Sequence, residues 1–316
     1  MLQRVNDLID RQLSDWGTAR DNYAALGRVR LRGFELNERS EVVLQFNPER
    51  KRSSGARVDA ASLAARKCFL CGENQPAEQE KIEWEGRYKI QVNPYPIFPC
   101  HLTISAIEHT PQEVGRRIDD MLDLARELSD FVLFYNGPRC GASAPDHMHF
   151  QAGNKGFMPL CDEVMDESLW TMEQRLLDSK EGFLGFTGQL GRNLFFIKAS
   201  ERVVASLLYA RLQLAMLMAS DNPAEEPMQN ILCWYEGGNY CVVVFPRAKH
   251  RPDCYGEGEG QFLISPASVD MGGVWAVPVE KDYETITVEQ VQAIYDELCL
   301  DNAGMARIIE LLIQQK

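Results

Sequence analysis

The stretch from Asn136 to Gln151, NGPRCGASAPDHMHFQ, constrains this chain more than any other part of it. It ends in His147-Met148-His149-Phe150-Gln151, where polar and apolar residues alternate. Alternate side chains of a strand share a face. His147, His149 and Gln151 should therefore line one surface, while Met148 and Phe150 face a core. The segment before it is rich in small residues and carries Gly137 and Gly141. Such backbone lets N–H groups come close to a phosphate. A phosphate-holding loop that runs into a histidine-lined strand suits attack on phosphorus. Neutral imidazole is a nucleophile near neutral pH, provided an acceptor fixes its other nitrogen. An isolated pair of alternating histidines would read as structural. The loop before this pair and the glutamine after it favour chemistry.

The surrounding pattern is that of a soluble α+β chain of 316 residues, with 45% hydrophobic and 25% charged residues. Residues 2–18 read as an amphipathic helix, because Leu2, Val5, Leu8, Ile9, Leu13 and Trp16 recur at helical spacing. Residues 41–46, 88–92, 101–105 and 131–135 read as strands, and residues 47–67 as an exposed polar loop. Thr110-Pro111-Gln112-Glu113 has the form of a helix start, with a cap, an early proline and an acid. Further on, residues 194–198 read as a strand and 202–219 as a helix. Residues 231–235 and 240–245 form a hairpin around Glu236-Gly237-Gly238-Asn239. Thr287 caps another helix, and a last one runs to about Gln314. KIQVNPYPIFPCHLTISAIEHTP and NYCVVVFPRAKHRP both run from a strand through proline to histidine. This echo suggests two related halves, residues 1–180 and 181–316.

No apolar run approaches a membrane-spanning length, and the acid-bearing N-terminus is not a signal peptide. A cytoplasmic protein with no membrane partner is expected. The net charge of −13 argues against a nucleic acid polymer as partner. It leaves room for a small phosphorylated ligand in a locally positive pocket.

NGPRCGASAPDHMHFQ resembles the active-site segment of the histidine-triad superfamily, in its transferase branch. That branch holds hexose-1-phosphate uridylyltransferases, dinucleoside tetraphosphate phosphorylases and GDP-hexose phosphorylases. The resemblance implies two histidine-triad-like halves, with antiparallel sheets flanked by helices. It implies that His149 carries the nucleotide and that Gln151 steadies the phosphoryl oxygens. The hydrolase branch has a third histidine at the glutamine position. Glutamine donates hydrogen bonds but carries no proton at neutral pH, so a nucleotidyl-histidine should persist until an acceptor arrives. Asn136, Gly137 and Ser143 would hold phosphate oxygens. Asn93 is a candidate for reading the base. His101, in PCHLTIS, resembles a superfamily stretch and is either a substrate-pocket residue or a packed strand end.

Nine cysteines are present, and Cys68-Phe69-Leu70-Cys71 forms a CxxC. Alone it reads as a redox pair, half a metal site or coincidence. There is no second CxxC, so two further metal ligands would have to be histidines. KCFLCGENQP resembles the CxxC stretch of the uridylyltransferases. The resemblance implies a ligand set of Cys68, Cys71, His109 and His147, suited to structural zinc.

In the second half, Phe245-Pro246-Arg247-Ala248-Lys249-His250-Arg251-Pro252 gathers basic residues in an acidic chain. FPRAKHRPDCYGEG and the stretch through KDYETIT resemble the C-terminal half of GDP-hexose phosphorylases, which favours Arg247 as a substrate contact. The expected activity is a nucleotidyltransferase that phosphorolyses a nucleoside diphosphate sugar through nucleotidyl-His149. Uridylyl exchange between hexose phosphates and phosphorolysis of a dinucleoside polyphosphate are the close rivals. The acceptor would be phosphate or a sugar phosphate, and a homodimer is compatible with the reading. A rival of another class is a non-catalytic nucleotide- or zinc-binding protein.

Overall fold

The computed structural model describes residues 1–50 and 60–314. Thirteen strands are assigned among these residues. Ten make one antiparallel sheet: β3 (Ile82–Trp84), β4 (Tyr88–Val92), β5 (His101–Ala106), β6 (Phe131–Asn136), β7 (His149–Asn154), β8 (Arg175–Asp178), β9 (Gly182–Thr187), β10 (Leu194–Ala199), β11 (Gln229–Glu236) and β12 (Asn239–Pro246). Their spatial order is β3-β4-β5-β7-β6-β11-β12-β10-β9-β8. Read from each edge inward, both halves run first, second, third, fifth, fourth strand. The halves meet where β6 pairs with β11. Each also inserts a helix between its third and fourth strands, Ile118–Glu127 in the first and Arg202–Ala219 in the second. The expected α+β architecture, two halves of antiparallel strands flanked by helices, is therefore present as one continuous sheet.

The strand–proline–histidine echo does not mark this repeat. It matches β4, the second strand of its half, with β12, the fifth of the other. The true counterpart of β12 is β7, and β12 carries no histidine. β8 begins at Arg175 and already belongs to the second set of five strands.

A second sheet of three strands joins the ends of the chain. β1 (Arg30–Asn37) pairs with β2 (Ser40–Phe46), which pairs in parallel with β13 (Val274–Val277). This small sheet and the short helices near the C-terminus cover one face of the large sheet around Phe134, Phe196, Trp234 and Trp275. The other face is covered by helices, around Phe150, Met121, Leu212 and Ile308. Burial of both faces explains why most strands read as near-continuous apolar runs.

Local readings hold where hydrophobic periodicity decides them and fail where side chains are claimed from afar. The first helix ends at Asp15, and Trp16 is extended and buried before a new helix, Gly17–Leu26. Residues 51–59 of the expected loop lie outside the described residues, and Ala60–Ala65 is helical. The helix expected to start at Thr110 begins only at Ile118, after a 3-10 turn at Gly115–Arg117. Glu226 Oε2 takes the Val114 N–H at 2.6 Å there, and Gln112 is committed elsewhere. The Arg202–Ala219 helix has the length and composition to cross a bilayer, against the expectation that no apolar run approaches that length. Its buried side, including Leu208, Tyr209 and Leu212, packs on the sheet core instead.

Candidate active site and metal centre

Strand register builds the floor of the site. Lys89 pairs with Ser105, and Ser105 with His149, so these three form one row across β4, β5 and β7. The next row is Gln91, Thr103, Gln151 and Phe134. Directly paired residues share a face, so His149 and Gln151 point the same way, as their alternation predicted. Met148 and Phe150 lie in the core under the helices.

His149 is 4% exposed. Its Nδ1 lies 2.8 Å from the carbonyl oxygen of His147. A carbonyl only accepts, so Nδ1 carries the proton and Nε2 keeps its lone pair. Burial lowers its pKa to about 4, with a smaller opposing effect from that backbone hydrogen bond. The ring is thus a neutral imidazole of defined tautomer at neutral pH.

The amides beside it are also oriented. Gln151 Oε1 sits 3.0 Å from His101 Nε2 and accepts from Asn93 Nδ2 at 3.4 Å. Asn136 Oδ1 accepts from Asn230 Nδ2 at 3.0 Å and from the Ser268 N–H at 2.8 Å. Both side chains line a cleft of about 630 Å³. With their oxygens occupied, each presents an NH₂ donor to an anion in that cleft.

The expected site residues divide on this geometry. Asn93, Asn136, Ser143 and Gln151 line the cleft. His149 does not, although Gln151 two residues along its strand does. His101 is fully buried and is a packed residue, not a ligand contact. Its Nδ1 accepts the Ile97 N–H at 3.1 Å, so Nε2 carries the proton and donates to Gln151. Burial keeps it neutral, with a pKa of about 3. His101 therefore acts by turning the glutamine. Gly137 spends its N–H on Gln229 O at 3.1 Å and cannot offer it to phosphate. A Cβ there would lie 2.8 Å from that same oxygen, so this glycine permits close strand approach. Gly141 has φ +94° and packs so tightly on Ala267 that a Cβ would come within 2.6 Å.

Arg247 is corrected as well. It is 3% exposed and donates to the carbonyls of Leu298 (3.2 Å), Pro266 (3.1 Å), Lys249 (3.2 Å) and His250 (3.3 Å), and to Asn230 Oδ1. A guanidinium engaged this fully is a clamp between loops. Among the described residues, the cleft's cations are Arg50, Arg66 and Arg251. Burial lowers the Arg50 pKa to about 10, which leaves it charged at neutral pH. Arg50 and Arg66 lie near the two ends of the stretch 47–67 that reads as an exposed polar loop, and nothing in its composition singles them out. Asp270 also lines the cleft, and burial raises its pKa to about 6 against two backbone N–H donors.

Cys68, Cys71, His109 and His147 come together with all their ligand atoms within 4.8 Å of one another. Cys68 Sγ is 3.3 Å from His147 Nδ1, and Cys71 Sγ is 3.2 Å from His109 Nδ1 and 3.6 Å from His147 Nδ1. Tetrahedral bonds of about 2.3 Å to sulfur and 2.05 Å to nitrogen imply an S···N edge of about 3.6 Å. The cluster has the dimensions of a closed four-ligand metal site. The outer contacts agree. His147 Nε2 lies 2.8 Å from Ala106 O, which leaves Nδ1 for a metal, and His109 Nε2 lies 3.8 Å from Asp146 Oδ2. Buried Lys89 holds the CxxC turn to the sheet through Leu70 O at 2.6 Å, a link with no local sequence signal.

Residues 8–154 match the model of a family described as Domain of unknown function (DUF4922). Among curated proteins none matches the chain in sequence. The structure is similar to that of yeast Ap4A phosphorylase Apa2, with a TM-score of 0.58 and 16% identity, over 90% of this chain and 96% of that one. Its complex with AMP gives 0.56 and 17%, over 92% and 96%. Its complex with Ap4A gives 0.56 and 14%, over 90% and 96%. The chain shares the fold of these phosphorylase structures.

Proposed function

We propose that this protein is a nucleotidyltransferase in which His149 takes a nucleotidyl group from a nucleoside phosphoanhydride and hands it to phosphate or a sugar phosphate. The observation that carries this is the His149 ring itself, neutral and held through Nδ1 by the His147 carbonyl. The Nε2 lone pair attacks the α-phosphorus. A P–N bond forms, the P–O bond to the leaving group breaks, and its electron pair departs with the leaving oxygen. Asn136 and Gln151 donate to the non-bridging oxygens as charge builds on them. An acceptor oxygen then forms a new P–O bond, and the P–N electron pair returns to Nε2. Gln151 offers no proton relay for water, which supports transfer over hydrolysis. The imidazole is 4% exposed, so the α-phosphate reaches it as the side chains around it yield.

The nucleotide-sugar reading rests on the resemblance of the second half, and Arg247, the substrate contact that resemblance favoured, is a clamp between loops. A dinucleoside polyphosphate is the donor we favour. Arg50, Arg66 and Arg251 along one cleft suit more than two phosphates, and the similar structures include complexes with AMP and Ap4A. Cys68, Cys71, His109 and His147 would hold zinc with no position open to substrate. The metal would supply a cross-link from the CxxC turn to the catalytic strand.

Intact-mass measurement after incubation with dinucleoside tetraphosphates, UDP-, GDP- and ADP-sugars tests the proposal. The expected result is a mononucleotide adduct that His149→Ala abolishes, with phosphate-dependent turnover. Absence of both adduct and turnover across the panel would leave a non-catalytic binder.

A further inference from the structure

The β6–β7 ladder stops where the chemistry begins. The pairs run from Phe131 with Asn154 to Phe134 with Gln151. Continuing that register by two residues sets Asn136 opposite His149. These two would ordinarily exchange backbone hydrogen bonds. They do not. The side chain of Gln112 lies between them, 1% exposed. Its Oε1 accepts the His149 N–H at 2.8 Å. Its Nε2 donates to His149 O at 3.0 Å and to Asn136 O at 2.9 Å. On the other side of β7, Ala106 N donates to Met148 O at 2.9 Å, so the β5 ladder continues normally.

We infer that Gln112 is a positioning residue: its amide replaces a strand peptide between β6 and β7 and sets the spacing of His149 from Asn136. This rests on the proposed role of His149. The amide satisfies the groups that parting the strands would orphan, and burial makes that satisfaction obligatory. It also fixes both ends of the phosphate site at once, since Asn136 and His149 hang from the backbone atoms it bridges. The segment is anchored alongside. Met148 N donates to Thr110 O at 2.7 Å, and Gln112 N to Pro145 O at 3.1 Å. A place in the first turn of a helix, which its sequence position suggests, would leave the strands free to close.

Gln112→Met keeps the volume and removes all three hydrogen bonds. Gln112→Glu keeps the acceptor for the His149 N–H and loses the donors. Single-turnover adduct formation is measured for both beside the parent protein and His149→Ala. AMP affinity and cobalt absorption of the Cys/His cluster are measured in parallel. Misplacement by about 1 Å costs on the order of 100-fold in rate. The expected result is that loss for Gln112→Met and a smaller one for Gln112→Glu, with AMP affinity reduced far less than the rate and the cobalt spectrum unchanged. A Gln112→Met rate within threefold of the parent overturns the inference. So does a rate loss matched by equal loss of AMP affinity and metal. ¹⁵N-histidine NMR reads the same point without turnover. The His149 signal, assigned by its absence in His149→Ala, should show an Nδ1–H tautomer that Gln112→Met disturbs. If the parent forms no adduct, the function proposed for His149 fails, and an unchanged tautomer signal in Gln112→Met would by itself overturn the positioning role.

Discussion

Glu226 should make the stability of this protein fall as pH rises. Its carboxylate lies behind Gly137, part-buried, accepting from Tyr135 OH at 2.7 Å and from Val114 N at 2.6 Å. Burial raises its pKa from 4.5 to about 7, outweighing those hydrogen bonds. The folded state thus holds this proton more tightly than the unfolded state does. Stability from this group is fully present below pH 4.5 and is lost as pH rises through about 7. The full difference is about 3 kcal/mol, of which about 2 kcal/mol falls between pH 5 and pH 7. Glu226→Gln is a neutral isostere. Its oxygen can keep the Val114 N–H while its NH₂ donates to the Tyr135 oxygen. Urea unfolding of parent and variant at several pH values isolates the group, because all other titrations cancel in the difference. The variant should gain on the parent by about 2 kcal/mol from pH 5 to pH 7 and by little more above pH 8. A difference that stays flat within about 0.5 kcal/mol would refute the reasoning, because an exposed carboxylate would behave that way. A difference of the opposite sign would mean that ionised Glu226 is stabilised by its donors.

Three further outcomes follow from the site. Cys68→Ser or Cys71→Ser should reduce bound metal from one equivalent to near none by elemental analysis, and lower the thermal midpoint. A metal-free parent of unchanged midpoint would instead favour a thiol pair. Arg247→Met should destabilise the fold by about 1–3 kcal/mol, because it leaves buried carbonyls without a donor. An effect confined to KM in a protein of parental stability would restore Arg247 as a substrate contact. Arg50→Gln should show the reverse pattern in kinetics and unfolding, with KM for a polyphosphate donor raised roughly tenfold and stability little changed.

What was legible in the sequence was whatever short-range order encodes. The alternation in HMHFQ gave His149 and Gln151 one face, and strands such as Tyr88–Val92 and the hairpin around Gly237-Gly238 stand where periodicity and turn chemistry place them. The four members of the metal cluster came from resemblance, and the fold assembled them. Gln112 was misread because TPQE has the local form of a helix start, while the strands that claim its amide lie 24 and 37 positions away. Arg247 was misread for a related reason. A basic residue in a loop looks like a ligand contact until the carbonyls around it are known. His101 belongs to the same class, since its effect on Gln151 travels through a tautomer set by the Ile97 backbone.

The duplicated topology leaves the two halves unlike on one face. β12 occupies in the second half the place of β7 in the first. On the corresponding face it carries Cys241, Val243 and Phe245, all fully buried. Trp170, Phe183, Phe196 and Trp234 fill the space above that face, with ring centroids 5.1–6.2 Å apart. A face packed at that density has no room for a nucleotide. The second half contributes differently, through the loop that follows β12. Ala267 closes on Gly141, the Ser268 N–H turns Asn136, and Asp270 and Arg251 enter the cleft wall. Arg247 pins that loop to the sheet by its contacts with Pro266 and Asn230. The second half therefore serves the site as a rigid extension of the sheet and as the support for one wall. Changes in its aromatic core should be felt as stability, and changes in residues 265–270 as altered donor binding.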